Sequence, residues 1–259
     1  MMQWLTILQK ELIENIRNVK WIWVPLIMIL IASLDPVSSY YLPQIIDAVG
    51  GMPGGTPEIQ LPEFMPSDII MMSLSQLSSI GVLVIVLISM GTISGERKSG
   101  VSELILVKPV SYVNYITAKW VSILLLTLAA TSLGILASWY YVNVLFGELS
   151  FGMLLKIIFF YGLWMTLVVS LSIFYNTLVK TPGLVAFLTI ASILLMKAVT
   201  TIFAHLLEWS PNNISGYIHQ MIVSGSIPSE LTGASVVTVI IVILLLVASV
   251  FTFRTKQPI

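Results

Sequence analysis

Six runs of about twenty or more predominantly apolar residues recur along this chain. They cover residues 21–41, 69–92, 112–141, 151–178, 184–209 and 234–253. A helix rises about 1.5 Å per residue, so each run is long enough to cross about 30 Å of hydrocarbon. In lipid every backbone N–H and C=O must be satisfied internally, and a helix does this within one segment. The expected fold is therefore all-α: a polytopic membrane protein of six transmembrane helices in one domain, 1–259. Charge agrees with this. Only 9% of the 259 residues are charged and 57% are hydrophobic, against about 25% charged in an ordinary soluble domain.

Residues 1–20 are different. Leu5, Leu8, Leu12, Ile16 and Val19 recur at steps of three and four, with Trp4 beside them. Thr6, Lys10, Glu14 and Arg17 fall opposite. This pattern predicts an amphipathic helix lying in the headgroup plane. The plainer reading is a short helix packed on a partner. The first apolar run follows this charged segment and reads as a retained anchor, not as a cleaved leader.

The connecting segments sort by charge. Residues 42–68 contain Gly50-Gly51, Gly54-Gly55 and prolines at 43, 53, 57, 62 and 66. Such a run is expected to be a loop. Val179 to Gly183 is expected to be a tight turn, and 210–233 a polar loop with a short or re-entrant helix near 214–223. Lys and Arg set orientation. With the N-terminus inside, ten of the 12 positive residues fall on the cytoplasmic side and leave Lys156 and Lys197 elsewhere. Both termini are then cytoplasmic, 42–68 and 210–233 are extracytoplasmic, and 93–111 is the main cytoplasmic loop.

That loop holds Glu96, Arg97, Lys98, Glu103 and Lys108, with Lys119 just beyond. Glu96 to Leu106 reads as a short helix ended by Pro109. Leu104, Ile105 and Leu106 form an apolar patch beside the charges, which suits a helix-in-groove contact with a soluble protein. The plainer reading is a solvated reversal.

Several chemistries find no support. Gly91 to Ser99 resembles a phosphate-binding loop, but Arg97 stands where that motif needs Gly before Lys-Ser. The chain has no cysteine, so thiol catalysis and disulfides are excluded. A net charge of zero gives no reason to expect nucleic acid. His205 and Glu208 share a helix face and could meet His219 on a metal, but two imidazoles and one carboxylate without a third-ligand motif are a weak signal. No metal site is expected. Lys197 lies in the fifth run, where a charge is costly and flags function. It could meet an anionic substrate group in a cavity, or snorkel outward on its long stem. Ser73, Ser75, Ser78, Ser79 and Gly81 give the second run a small-residue side, suited to close packing or to a polar path. Ser75 and Ser79, with Lys197, are the candidate substrate path.

Gly91-x4-Glu96-x3-Gly100-x3-Leu104, then Lys108-Pro109-Val110-Ser111 and Lys119, resembles the ABC-2 type permease pattern. Ser102 beside Glu103 departs from the more usual variants and leaves the helix register open. The motif covers about thirty residues, whereas the architecture (interfacial helix, six spans, charged loop between spans two and three) covers the whole chain. The resemblance implies a short bacterial permease, the membrane subunit of an ATP-driven exporter in the cell membrane. Two such chains, identical or paralogous, would pair with two cytoplasmic ABC ATPase subunits, with ATP and Mg bound by the ATPases and no cofactor bound by this chain. It implies that Glu96, Arg97, Lys98, Gly100, Glu103, Leu104 and Pro109 belong to a coupling helix seated on the ATPase. Helices two and five would line the dimer interface and the path. The rival readings are an ion- or proton-coupled secondary transporter, which usually shows paired intramembrane charges; an intramembrane enzyme; and a non-transporting anchor or sensor.

Overall fold

A computed structural model describes residues 2–48, 64–100 and 111–256. Its elements are helical, with no strand among the described residues. Helix α1 spans Met2–Arg17 and α2 Lys20–Ala48. The second span is composite: α3 (Pro66–Gln76), a π turn (Leu77–Gly81) and α4 (Val82–Ser89). A five-residue helix, α5 (Ser94–Lys98), follows. Then come α6 (Tyr112–Leu145), α7 (Phe151–Leu178), α8 (Pro182–Ile202), the short α9 (Ile214–Ser224) and α10 (Ser229–Lys256). Six helical stretches among the described residues are long and apolar enough to cross a membrane. The chain is a multi-pass membrane protein.

Helices α6 and α7 form the centre. α6 packs on α1, α2, α3, α7 and α10, and α7 on α4, α8, α9 and α10. Between them they bury Ile123, Leu126, Ile135, Leu154, Phe160, Tyr161 and Val168. Small residues allow the close approaches that lipid-embedded packing favours. At Gly134 of α6 a Cβ would come within 2.9 Å of the Met28 carbonyl oxygen of α2, so nothing larger fits without the helices parting. The peripheral helices turn Leu26, Leu30 and Leu34 of α2, Phe187 and Leu195 of α8, and Leu244 and Val247 of α10 outward. Lipid is the natural solvent for such faces.

Boundaries differ from the sequence expectation in informative places. α2 runs through Pro36 and Pro43 to Ala48, beyond the expected end at 41. A proline removes one helical hydrogen bond, yet packing against α6 and α3 outweighs that local cost. Pro182 does not sit in a turn but occupies the first turn of α8, where its missing N–H costs nothing. α8 ends at Ile202, not 209. Beyond it the carbonyls of Leu207 and Glu208 accept from Asn213 Nδ2, and that of Glu208 also from the Tyr217 hydroxyl, which holds 203–209 in turns. Where a short or re-entrant helix is expected near 214–223, the structure has the short helix α9. Of the short helix expected over 96–106, the described residues show α5 ending at Lys98: Gly100 has φ 78°, a left-handed conformation that ends α5 and favours glycine, and 101–106 lie outside the described residues.

Candidate functional site

The polar residues concentrate in two places, at opposite ends of the α8 span. The first is a charged junction where α1, α5 and α6 meet. Helix α1 turns a stripe of Trp4, Leu8, Glu11 and Asn15 toward α6, and its most exposed apolar residues, Ile13 and Ile16, outward. Trp4 Nε1 donates to Thr117 Oγ1 at 3.1 Å and Asn15 Nδ2 to Ser122 Oγ at 3.0 Å. The side turned to α6 is thus mixed: Glu11 and Asn15 are buried beside Trp4 and Leu8, while Thr6, Lys10, Glu14 and Arg17 of the expected polar face are exposed. Val19, at φ 57°, makes the break between α1 and α2, a strained choice for a β-branched residue.

Lys119 is the centre of the junction. It is 1% exposed. Its ammonium lies 2.7 Å from Glu11 and 3.0 Å from Glu96, and donates to the Thr92 carbonyl at 3.0 Å. Glu96 also takes Lys10 at 2.6 Å and accepts the Tyr115 hydroxyl. Lys10 reaches Glu11 at 3.1 Å and Glu14 at 3.5 Å. Burial opposes the charge on Lys10, but the hydrogen bonds it donates to Glu96 and Glu11 and the fields of those two carboxylates outweigh it, so its pKa rises above the ordinary lysine range. Glu11, Glu14 and Glu96 bring carboxylate oxygens within 4.8 Å of one another. The ammonium groups of Lys10 and Lys119 already fill the role a metal cation would play there. Several charges, each with an opposite partner and further hydrogen bonds, satisfy the condition under which buried ion pairs are tolerated.

Arg97 anchors the same segment from its other side. Its guanidinium donates to the Thr177 carbonyl at 2.7 Å and sits 5.7 Å from the centre of the Phe253 ring. Phe253 in turn stacks on Tyr115. Asn176 of α7 bridges the break between α4 and α5. Its Oδ1 accepts from the Ile93 and Ser94 N–H groups at 3.1 and 3.0 Å, and its Nδ2 donates to the Ser89 and Ser172 carbonyls. It thereby satisfies backbone groups orphaned on both sides of the interruption.

The structure therefore divides the expected coupling residues. Glu96 and Arg97 point into the protein, Lys98 is exposed, and Gly100 makes the turn. Glu103, Leu104 and Pro109 lie outside the described residues. Sequence reading missed Glu11, Asn15, Tyr115 and Asn176. Helical periodicity could have put Glu11 and Asn15 on one face, but nothing local marks that face as buried, because the partners come from 80 to 110 residues away.

The second place is a groove around Lys197. One chamber of about 330 Å³ is lined by Lys197, Ser78, Ser79, Tyr161, Asn212 and Ser215, with apolar walls from α4 and α8. An adjoining chamber of about 310 Å³ shares Lys197, Ser78, Ser79 and Ser215 and adds Ser75. The structure thus brings together the three residues expected to line a path. His205, Glu208 and His219 form no such group; His219 instead faces Asp68 at 3.5 Å.

Comparison with known proteins matches residues 5–252 to the family model described as ABC-2 family transporter protein. The chain is also 27% identical over 255 residues to the uncharacterized transmembrane protein YxlG of Bacillus subtilis (strain 168), with 98% of each chain covered.

Proposed function

Since the chain belongs to the ABC-2 family of transporter proteins, we propose that it is the transmembrane permease subunit of an ATP-driven exporter. A separate cytoplasmic ABC ATPase docks on the 93–111 loop and supplies the hydrolysis. The chain carries no ATPase site of its own; ATP and Mg belong to the partner. Two ATPase subunits and a second permease chain, identical or paralogous, complete the assembly in the bacterial cell membrane, with both termini cytoplasmic.

The observation that supports this reading is the charged junction. A loop that receives a mechanical input must be stiff where it joins the spans. Here Glu96 ties the loop to α1 and α6, Arg97 ties it to α7 and α10, and Asn176 closes the helix break between them. Glu96 and Arg97 are accordingly positioning residues for the loop. Lys98, with Glu103 and Leu104 beyond Gly100 and Pro109 ending the segment, makes the contact. Lys197, Ser75 and Ser79 line the substrate path.

The reading is tested by co-expressing the chain with a candidate ABC ATPase and measuring co-elution and ATP hydrolysis for wild type and Lys98→Glu. Lys98 is exposed, so this reversal leaves the junction intact. Exposed rim charges are worth about 0.2–1 kcal/mol each, so a loss of affinity of about 1.4- to five-fold is expected, with the permease itself folding normally. Unchanged affinity and hydrolysis would remove Lys98 from the contact. A wild-type chain that captures no ATPase would overturn the exporter reading.

A further inference from the structure

The groove around Lys197 has a composition that points to a ligand. Its base is polar: Lys197, Ser75, Ser78, Asn212 and Ser215. No Asp or Glu lines either chamber. Among the described residues the Lys197 ammonium has no ion pair or hydrogen bond, and the side chains of Asn212, Ser215 and Ser75 have no hydrogen-bond partner. Polar side chains in membrane proteins normally pair within the bundle. Here Lys197, Asn212, Ser215 and Ser75 line two adjoining chambers without a protein partner, Lys197 and Ser75 exposed and Asn212 and Ser215 half-buried, and the only formal charge among them is positive.

The second wall is apolar. Val82, Leu83, Ile190, Ile193 and Leu194 run along α4 and α8 from the polar base toward the middle of the span. Beside them, Leu195 and Phe187 of α8 are exposed. Depth agrees with this division. Lys197 lies five residues before the end of α8 at Ile202, or about 7.5 Å along the axis at about 1.5 Å per residue. That places Lys197 toward the end of α8 away from the charged junction. The π turn at Leu77–Gly81 lies at the polar base. Such turns are frequent at functional sites, and this one contributes Ser78 and Ser79, with Ser78 held against the buried Tyr161 hydroxyl at 3.1 Å.

We propose that this groove binds a membrane-resident anionic amphiphile, with its phosphate or carboxylate headgroup against Lys197 and the free hydroxyl and amide groups, and its chain along the α4–α8 wall. Charge complementarity selects the headgroup, and the continuity of the groove with lipid-facing α8 selects a ligand that arrives sideways from the bilayer. That this amphiphile belongs to the class the permease exports rests on the exporter reading; the binding itself does not.

The test uses the purified permease alone, without any ATPase. Wild type, Lys197→Met, Lys197→Arg and Lys156→Met are equilibrated in detergent with equal amounts of phosphatidylglycerol and phosphatidylcholine, and retained lipid is read by native mass spectrometry. Wild type should retain phosphatidylglycerol preferentially. Lys197→Met should lower that preference about five-fold, the effect of one cation near an anionic headgroup. Lys197→Arg should keep it, and Lys156→Met should leave it unchanged. A preference that survives Lys197→Met would overturn the proposal, as would one lost equally in Lys156→Met. Displacement of the retained lipid by inorganic phosphate would identify a soluble anion as the occupant and likewise overturn it. Because no ATPase is present, anionic-lipid retention can hold while ATPase capture fails, or the reverse.

Discussion

Lys119 shows how a single charge can decide the shape of a membrane protein's edge. Its position just inside the third apolar run would be costly for an isolated ammonium. Glu11 and Glu96 make it tolerable, and it makes them tolerable in turn. Removing one member of such a group leaves the others uncompensated, which costs about 3–5 kcal/mol. Lys119→Met should therefore lower the thermal midpoint of the purified protein markedly, and Lys98→Met, at an exposed position, should barely change it. Equal midpoints for the two variants would show that the junction contributes little. The same geometry bears on Glu96→Arg. That reversal would set a third cation beside Lys10 and Lys119, so a loss of ATPase binding there would report a damaged fold as readily as a damaged contact. In the sequence, Glu96 and Lys119 stand out as charges near apolar runs. Their mutual pairing is invisible, because periodicity reports only a residue's own helix.

At the scale of elements, the second span depends on a residue from another helix. Asn176 uses both ends of its amide to join α4 to α5 across four residues, 90–93, that form no regular helix. Asn176→Leu keeps a similar volume and leaves two N–H groups and two carbonyls with one partner fewer. A buried unsatisfied group costs about 1–3 kcal/mol, so the variant should be destabilised by several kcal/mol. It should also increase amide hydrogen exchange at Ile93 and Ser94. Unchanged exchange at those two amides would contradict the bridging role. Element existence was legible in the sequence: each of the six apolar runs is matched by a helical stretch long and apolar enough to cross a membrane, and the short helix α9 lies where a short or re-entrant one is expected. The departures follow from tertiary context. Three prolines sit inside α2 because packing holds its helical path. Pro182 opens a helix because its lost N–H would have been unpaired there anyway. Gly100 ends α5 by a left-handed turn that the run of helix-compatible residues on either side conceals.

For the whole molecule, the two polar regions divide the labour of the proposed exporter. The junction stiffens the end that faces the ATPase, and the Lys197 groove lies toward the other end of α8, beside lipid. The central pair α6 and α7 joins them: α6 carries Lys119 and Tyr115, whereas α7 carries Asn176 at one end and Tyr161 on the groove wall. Sequence reading found the charged loop and Lys197 separately. It had no means of placing the serines of span two beside the same chambers as Lys197, since those chambers are lined by helices more than a hundred residues apart. The central claim is that the 93–111 loop is where an ATPase docks. The natural chain has no cysteine, so one introduced thiol is unambiguous. Ser99→Cys, at an exposed position beside Lys98, and Ser226→Cys, exposed in the loop after α9, would each be cross-linked in membranes that contain a candidate ABC ATPase. The account predicts a cross-link to the ATPase from position 99, changed by ATP, and none from position 226. A cross-link from 226 in place of 99, or equal yields from both, would contradict it.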